Sequence, residues 1–488
     1  MARRTKPKRP STGAALLAAA ILCAISSGAR AFDPDPDLRT DSPPATNVDR
    51  PRDTSDKPPA LADDRKPSRP DRTSDRPRTT SRSSDRRDDR DDRRDHGGAS
   101  VDIPLTAVVP LLQWALSSHK AAPFEPAGPY VAGQVVVELA GATPPKTVAA
   151  IERRHRLTEV DEFASTLTGR MVLLEQLQPP DSTPQKVASL SADRDVLAAQ
   201  PNYLFELQAT SRAAAPAADP SLQYAVAKLR LAEAHRLASG DKVLVGVVDS
   251  AVDVGHPELR GVIARSFDAM SGPQKPHAHG TAIAGLIAAH ARLTGSAPSA
   301  RILAAQAFAG DGEGAGGSSF YIVKAFDWTV SNGARVINMS FAGPSDPALH
   351  RALEAAYASG VVLVAAAGNA GPKAPPAYPA AEPHVIAVTA TDAQDQVFAG
   401  SNRGRYIEVA APGVDLLVAS PGGGYQLSSG TSLSAAEVSG IAALILERRP
   451  KLRPDAVRAA LLAASRPLTA EGAFRPRLID AYRAVAAP

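Results

Sequence analysis

The sequence is poor in cysteine, in aromatic residues and in net charge. Cys23 is the one cysteine among 488 residues, so a mature chain without this N-terminal region has no disulfide bonds and depends on apolar burial for its stability. Aromatic residues make up only 5% of the chain and alanine is plentiful, which favours helices packed closely on a sheet. The formal net charge of +4 gives no general argument for a nucleic acid or an anionic membrane as a partner.

The length and the apolar content set limits on the domain organisation. A chain of 488 residues predicts two or three domains. Its 44% of hydrophobic residues are enough for a sizeable core in at least one of them.

Residues 1–31 have the pattern of an export signal. A basic stretch that ends at Arg9 precedes an apolar run from Gly13 to Ile25, and Ala29-Arg30-Ala31 provides small residues for cleavage before Phe32. The apolar run is short for a span of the hydrocarbon core. We therefore predict a cleaved signal and a secreted or cell-envelope protein, with an uncleaved membrane anchor as the alternative.

Two segments without a globular pattern follow the signal. Residues 32–100 are rich in Pro, Arg, Asp, Ser and Thr, and such a composition predicts a disordered linker because it cannot bury enough apolar surface. A basic arm for nucleic acid or cell-wall polyanions is the alternative, but aspartate alternates with arginine in 85–95 and cancels most of the positive field. Residues 101–127 form a short apolar stretch broken by prolines, which we interpret as a docking segment or linker.

Residues 128–208 predict a small α+β domain. Apolar alternation and helical spacing indicate the order β-α-β-α-β, with one open sheet and two helices. The predicted elements are strands at Gly133 to Leu139, Met171 to Leu177 and Asn202 to Leu207, and helices at Pro145 to Arg156 and Pro184 to Ala199. Residues 209–220, rich in alanine and proline, are predicted to be a linker that contains a cleavage site.

Residues 221–488 alternate apolar strands with helices. The strands read as continuous apolar runs, as expected for strands that are buried on both faces. Right-handed crossovers then build an α/β fold with a mostly parallel, doubly wound sheet and helices on both faces. The strands are Lys242 to Val248, Arg335 to Met339, Gly360 to Ala366 and Val385 to Ala390, and the helices between them are Gly280 to Ala291, Ser319 to Ser331 and Pro347 to Ala358.

Four polar residues fall where strands end or helices begin. Asp249 follows the first apolar strand, His279 begins a helix, Asn369 follows a later strand, and Ser432 opens the helix after Gly430-Thr431. Ser432 taken alone is best interpreted as a helix N-cap. Together, however, the four residues lie at one edge of the sheet and provide a nucleophile, a base, a carboxylate and an oxyanion donor.

Four short motifs carry a resemblance to a known family. They are Asp249-Ser250 with His256-Pro257-Glu258-Leu259, then His279-Gly280-Thr281, Ala367-Gly368-Asn369 and Gly430-Thr431-Ser432. In this order and on this α/β pattern the chain resembles the subtilisin-like serine peptidases, whose triad runs Asp, His, Ser. The resemblance covers the chain from Leu222 to the C-terminus and implies a subtilisin-like fold and serine endopeptidase activity.

The resemblance also implies a role for each residue. Ser432 would be the nucleophile, His279 the general base and then acid, and Asp249 the carboxylate that fixes the histidine tautomer. Asn369 would donate its amide to the oxyanion together with the backbone N–H of Ser432. Two nearby residues compete for these roles, namely His277, which lacks the Gly-Thr context, and Asp253, which does not end the apolar strand.

A substrate strand and a propeptide are implied in the same way. Peptide or protein substrates would pair with Ser340, Phe341 and Ala342, and Ala366 and Gly368 would border a pocket for a medium or large apolar side chain. Residues 128–208 resemble the propeptide of the family, which acts as an intramolecular chaperone and inhibitor. We therefore expect a zymogen whose own propeptide is a binding partner.

The chain departs from the family pattern at several places. Ala251 stands where a glycine is usual, Ala282 where a histidine is common, Ala342 where a glycine is usual, and Ala436-Glu437 where Pro-His is common. No cofactor is required by this chemistry. Family members often bind calcium, but the sequence has no dense carboxylate loop, so a metal site is left open.

Two other classes of function stay open at this stage. A catalytically silent family member could bind peptides or partners through the groove. An envelope-tethered structural protein could depend mainly on residues 32–100. We expect instead an exported endopeptidase that is made as a self-inhibited precursor.

Overall fold

A computed structural model describes residues 124–208, 210–215, 223–272, 275–310, 315–469 and 474–487. The predicted signal, the charged linker and most of the docking segment lie outside the described residues. Among the described residues, no helix combines the length and the apolar character needed to cross a membrane.

The part before residue 208 is a four-stranded antiparallel sheet covered by two helices. Its elements are β1 (Tyr130–Ala140), α1 (Pro145–His155), β2 (Leu157–Ala164), β3 (Arg170–Leu177), α2 (Thr183–Ser191) and β4 (Ala198–Leu207). The predicted order β-α-β-α-β was wrong, because β2 is an additional strand. Its sequence Leu-Thr-Glu-Val-Asp-Glu-Phe-Ala buries few side chains and so lacks a strong apolar pattern. The second helix is also shorter than predicted, since Ala198 and Ala199 already belong to β4.

The remaining chain supplies further strands and helices in alternation. They are β5 (Thr210–Ala215), α3 (Tyr224–Lys228), α4 (Leu231–Ala234), β6 (Leu244–Ser250), β7 (Ile263–Asp268), α5 (Ala278–Ala288), β8 (Arg301–Ala309), β9 (Gly316–Ser318), α6 (Ser319–Ser331), β10 (Val336–Met339), β11 (Phe341–Ala342), α7 (Pro347–Ala358), β12 (Val362–Ala366), β13 (Val385–Thr391), β14 (Ile407–Pro412), β15 (Leu416–Ser420), β16 (Gly424–Ser429), α8 (Thr431–Arg448), α9 (Pro454–Ala464), β17 (Arg466–Pro467), β18 (Arg477–Leu478) and α10 (Ala481–Ala486).

A parallel sheet forms the centre of this larger part. Its strands run in the order β14, β13, β12, β10, β6, β8, and all of these neighbours pair in parallel. Helices α5 and α8 pack on one face of the sheet with an alanine-rich core, and α6 and α7 pack on the other face. The predicted fold class, a mostly parallel sheet with helices on both faces, is confirmed for this part of the chain.

The central sheet continues into the sheet of the smaller part. Strand β9 pairs with β8 on one side and with β4 on the other, so that β4 joins the two sheets. The predicted linker 209–220 needs correction, because β5 pairs antiparallel with β16 instead of forming an irregular connection. Every residue except proline can donate and accept backbone hydrogen bonds, so a segment rich in alanine can form a strand. The composition of residues 209–220 therefore did not reveal β5.

Candidate active site

Three side chains from three different elements form a hydrogen-bonded chain. The Nδ1 atom of His279 lies 2.8 Å from Oδ1 of Asp249, and its Nε2 atom lies 3.1 Å from Oγ of Ser432. All three residues are buried. A histidine between a carboxylate and a serine hydroxyl can remove the hydroxyl proton and keep the resulting imidazolium paired.

The carboxylate is held by the end of strand β6. The backbone N–H of Ser250 donates to Oδ1 of Asp249 at 2.7 Å, and the Ser250 hydroxyl lies 3.1 Å from the same oxygen. The Ser250 hydroxyl also accepts from the backbone N–H of Gly280 at 3.0 Å, which ties the strand to the start of α5. Asp249 lies within the strand instead of directly after it, because pairing with β8 extends the strand two residues beyond Val248 to Ser250.

His277 and Asp253, which competed for the histidine and aspartate roles, hold the start of α5 and a loop through hydrogen bonds. His277 is the N-cap of α5, and its Nδ1 atom accepts from the backbone N–H of His279 at 3.2 Å. Asp253 accepts the N–H groups of Gly255 and Gly422, which closes a loop beside the site. The Nδ1 atom of His277 also lies 3.0 Å from the Ser250 hydroxyl, so His277 borders the hydrogen-bonded chain through the serine that contacts Asp249.

Ser432 lies in the first turn of the buried helix α8. Its hydroxyl lies 3.2 Å from the carbonyl oxygen of Ser340 as well as close to the histidine. The free N–H groups of a helix N-terminus favour negative charge, which suits an alkoxide at this position. The hydroxyl is thus in contact with a base and lies at the positive end of a helix.

The carbonyl oxygen of Gln208 lies between two donors at this site. It accepts from Nδ2 of Asn369 at 2.7 Å and from the backbone N–H of Ser432 at 3.3 Å. Asn369 is held by its other amide atom, since Oδ1 accepts from the N–H of Thr431 at 3.1 Å and from its hydroxyl at 2.8 Å. Two fixed donors around one carbonyl oxygen are the arrangement that stabilises a tetrahedral oxyanion.

The segment that ends at Gln208 lies in the cleft as an extra strand. Residues 204–206 of β4 pair with β9, and Glu206 and Leu207 pair with Ala342 and Phe341 of β11. The N–H of Gln208 donates to the carbonyl of Ser340 at 3.2 Å. The predicted substrate strand Ser340 to Ala342 therefore contacts an extended peptide, which is a segment of the chain itself.

The other predicted pocket residues contribute differently. Ala366 is fully buried in the core beneath the cleft, and the N–H of Gly368 donates to the Thr431 hydroxyl at 3.2 Å. The predicted pocket was expected to receive an apolar side chain, whereas the side chain before Ala209 in this structure is the polar Gln208. The sequence also did not identify β9, whose Gly316-Gly317-Ser318 forms the opposite wall of the cleft.

A buried carboxylate supports the hairpin that leads to Ser432. Glu258 accepts the backbone N–H groups of three residues at 2.9 to 3.2 Å and the hydroxyl of Tyr425 at 2.7 Å. Burial, followed by the neighbouring Glu258, raises the pKa of Tyr425 to about 12. The His256-Pro257-Glu258-Leu259 motif thus holds β16 in place, since His256 also lies 3.0 Å from the carbonyl of Gly424.

The site residues belong to no metal cluster in the described part of the chain. No group of three or more His, Cys, Asp or Glu residues there could hold a metal ion.

Gln208 is the residue of the site that sequence reasoning missed. It follows a predicted strand and precedes a segment rich in small residues, and both features also fit an ordinary domain boundary. A clue was available in the resemblance of residues 128–208 to the propeptide of the family, because its last predicted strand ends at Leu207, beside the segment 209–220 that was predicted to contain a cleavage site.

A parallel α/β sheet that carries a hydrogen-bonded Asp-His-Ser chain at one edge is an arrangement typical of serine hydrolases. The subtilase family model of peptidases matches residues 240–477. A subtilisin of Bacillus pumilus is 37% identical over 240 residues, which cover 47% of this chain and 86% of that protein. The chain belongs to the subtilase family.

Further relatives agree with this assignment. Subtilisin amylosacchariticus of Bacillus subtilis subsp. amylosacchariticus is 37% identical over 240 residues, and the match covers 47% of this chain and 62% of that protein. Fervidolysin from Fervidobacterium pennivorans, a keratinolytic enzyme, has a similar fold with a TM-score of 0.63 and 24% identity, covering 74% of this chain and 62% of fervidolysin.

Proposed function

We propose that the chain is the precursor of a serine endopeptidase that hydrolyses peptide bonds through an acyl-enzyme and cuts itself between Gln208 and Ala209. The observation that carries this proposal is the carbonyl oxygen of Gln208, which accepts from both oxyanion donors beside the Ser432 hydroxyl. A peptide bond held in this way has the position of a substrate.

The reaction follows from the contacts of the site. Ser432 Oγ attacks the carbonyl carbon of Gln208 while His279 Nε2 takes the hydroxyl proton, and Asn369 helps to stabilise the oxyanion. The C–N bond to Ala209 then breaks as the imidazolium returns the proton to the leaving amine. The remaining ester on the serine is hydrolysed by water, which the histidine deprotonates, and the free hydroxyl is restored.

We propose that residues 128–208 remain as an inhibitor after this cleavage. Buried polar contacts join them to the peptidase part, where Asp327 of α6 accepts the Ser165 hydroxyl at 2.7 Å and the N–H groups of Thr166 and Leu167 at 3.2 and 3.1 Å. Glu138, which is 4% exposed, binds both Arg170 and Arg351, and the Arg351 Nη2 donates at 2.6 Å.

Apolar contacts add to these polar ones. Val136, Val172 and Leu174 share a hydrophobic cluster with residues of α6 and α7. The rings of Phe163 and Phe320 meet edge to face with centroids 5.4 Å apart. A product that keeps such an interface leaves slowly, which supports the proposal of a self-inhibited zymogen.

Intact mass spectrometry of the chain from Phe32 onward tests the self-cleavage. We expect the unmodified chain to split after Gln208, and Ser432→Ala to stay whole. Ser439→Ala is the matched control, since Ser439 lies in the same helix with its hydroxyl on Asn338. The proposal fails if the Ser432→Ala chain splits equally, or if the unmodified chain neither splits nor hydrolyses casein.

We further propose that the protein acts outside the cytoplasm, in the medium or the cell envelope. The basic and apolar pattern of residues 1–31 supports export. The N-terminal sequence of the exported protein tests this, with Phe32 as the expected first residue of a chain that has not yet matured. Retention in the cytoplasm with residues 1–31 intact would contradict it.

A further inference from the structure

The side chain of Gln208 is bound at both ends of its amide. Its Oε1 atom accepts from the backbone N–H of Asn369 at 2.8 Å. Its Nε2 atom donates to the carbonyl oxygens of Glu206 and Leu207 at 3.2 and 3.3 Å. The amide oxygen therefore meets a donor and the amide nitrogen meets acceptors, so the contacts match the chemistry of a glutamine.

The donor to Gln208 belongs to a rigid turn. Gly368 has φ of +105°, and a Cβ atom there would lie 2.6 Å from Nδ2 of Asn402. Asn402 also fixes the turn through its backbone, which donates to the Gly368 carbonyl at 2.9 Å, and through its Oδ1, which accepts from the N–H of Ala370 at 2.9 Å. The N–H of Asn369 lies between these two fixed residues, so its direction is set before a substrate arrives.

We propose that the active site selects glutamine as the residue immediately before the bond that it cleaves. The inference rests on the proposed peptidase function and extends it to a substrate class. Methionine and leucine are similar in size, but they have no acceptor for the Asn369 N–H and leave that donor unpaired. Glutamate keeps the acceptor but points a charged oxygen at the carbonyls of Glu206 and Leu207, where the amide nitrogen is a donor. Asparagine is one methylene too short to reach the same donor.

The neighbouring residues indicate a suitable probe. Phe205 and Leu207 are buried in the cleft and anchor the segment through apolar contacts, whereas Glu206 is exposed. Acetylated tetrapeptide coumarinyl amides of the sequence Phe-Glu-Leu-X therefore keep the anchors constant while X is Gln, Met, Leu, Glu or Asn.

The experiment measures kcat/KM of the self-processed enzyme for these five peptides. We expect the glutamine peptide to exceed the methionine and leucine peptides by about tenfold, which is the effect of one neutral hydrogen bond. We expect kcat/KM of the glutamate peptide to be about a hundredfold below that of the glutamine peptide. The carboxylate cannot donate as Nε2 does, and it also repels the two carbonyl oxygens. Equal or faster cleavage of the leucine or methionine peptide would overturn the inference.

Failure of the proposed function gives a different result. In that case no peptide is hydrolysed and Ser432 does not react with a fluorophosphonate, whereas failure of the selectivity alone gives hydrolysis of all five peptides at similar rates.

Variants of the precursor provide a second test within the chain. Gln208→Met should slow self-cleavage, and Gln208→Glu should slow it further, which is the order expected for the peptides. Gln178→Met and Gln178→Glu are the matched controls, since Gln178 is exposed in a loop of the same part and should leave the rate unchanged. Equal rates for Gln208→Met and the unmodified precursor would contradict the selectivity.

Discussion

At the scale of single residues, hydrogen bonds from Thr431 orient the Asn369 side chain. The hydroxyl and the N–H of Thr431 both donate to Oδ1, so that Nδ2 is directed at the carbonyl of Gln208. The amide cannot turn without losing two hydrogen bonds, and this preorganisation lets it act on the transition state without a cost of reorientation.

Replacement of Asn369 by alanine should lower kcat. Removing one oxyanion donor reduces kcat by about 10² to 10³, with a small effect on KM because the remaining contacts hold the ground state. Steady-state kinetics with a peptide substrate of the mature enzyme measure this. Asn332→Ala is the control, because this asparagine ends helix α6 and bonds to the carbonyl of Trp328. A larger rise in KM than fall in kcat would argue against the oxyanion role.

At the scale of secondary structure, helix α5 and strand β6 meet at Gly280. A Cβ atom on Gly280 would lie 2.3 Å from the carbonyl oxygen of Ser250. The helix that carries His279 in its first turn therefore approaches the strand that carries Asp249 through a residue without a side chain. This close approach brings the base and the carboxylate within hydrogen-bond distance.

Gly280→Ala should impair catalysis by moving these two elements apart. The new methyl group meets backbone that cannot give way, and a displacement on the order of 1 Å costs about a hundredfold in kcat/KM. Gly285→Ala in the same helix is the control, because its Cβ would lie 3.2 Å from the Cβ of Ala419, a much milder contact than the 2.3 Å at Gly280. If both variants keep full kcat/KM, the approach at Gly280 does not position the triad.

At the scale of the whole molecule, one sheet extends through residues 128–208 and the larger part of the chain that follows them. Strand β4 joins the two and ends one residue before Gln208, and α6 and α7 contact residues 128–208 through polar and apolar groups. Under the proposed function, the stability of residues 128–208 and the activity of the enzyme are coupled, because loss of these residues would open the cleft.

Asp327→Ala should release the inhibitor faster after self-cleavage. The substitution removes the acceptor of Ser165, Thr166 and Leu167, so that buried donors lose their partners. Mass spectrometry times the self-cleavage, and a peptide substrate times the start of hydrolysis. The delay between the two events should shorten by about tenfold, as expected if the binding free energy of residues 128–208 falls by about 1 to 2 kcal/mol. Asp392→Ala is the control, because Asp392 also accepts backbone N–H groups but lies in a turn after β13. An unchanged delay would contradict this role for Asp327.

The free energy of unfolding of residues 128–208 should also fall as the pH rises. Glu175 of β3 is 1% exposed, and neither carboxylate oxygen has a hydrogen-bond partner among the described residues. Burial, and then the charges of Glu152 on α1 and Glu159 on β2, raise the pKa of Glu175 to about 8 from its usual value of 4.5. Between these two pH values the unfolded state has lost a proton that the folded state keeps, so the unfolding free energy falls as the pH rises from 4.5 to 8.

Hydrogen exchange of the β3 amides in the Ser432→Ala precursor measures this effect. We expect the opening free energy of the β3 amides to decline by several kcal/mol between about pH 5 and 8 in the unmodified sequence. In Glu175→Gln this free energy should not change over the same range. Glu437→Gln is the matched control, since burial raises the pKa of this α8 carboxyl to about 8 as well. That substitution should alter exchange in α8 and leave β3 unchanged. Constant β3 protection of the unmodified precursor over this range would sink the prediction.

Local sequence patterns and short motifs were sufficient to predict the fold class and to single out Asp249, His279, Asn369 and Ser432 as candidate site residues. Apolar runs and helical spacing are local, so they indicate strands and helices, and the residues at strand ends must share one edge of a parallel sheet. The strand β2 escaped this reasoning because its side chains are mostly exposed, and β5 escaped because small residues give no pattern.

The position of Gln208 at the site follows from long-range strand pairing, which the sequence does not reveal. Backbone pairing between β4, β9 and β11 joins segments that are more than a hundred residues apart, and hydrogen bonds between backbone groups leave no trace in the sequence of side chains. The contacts of the glutamine amide depend in the same way on the path of the turn at Gly368 and Asn369. Local pattern thus determined which elements form, whereas long-range pairing decided which peptide bond meets the serine.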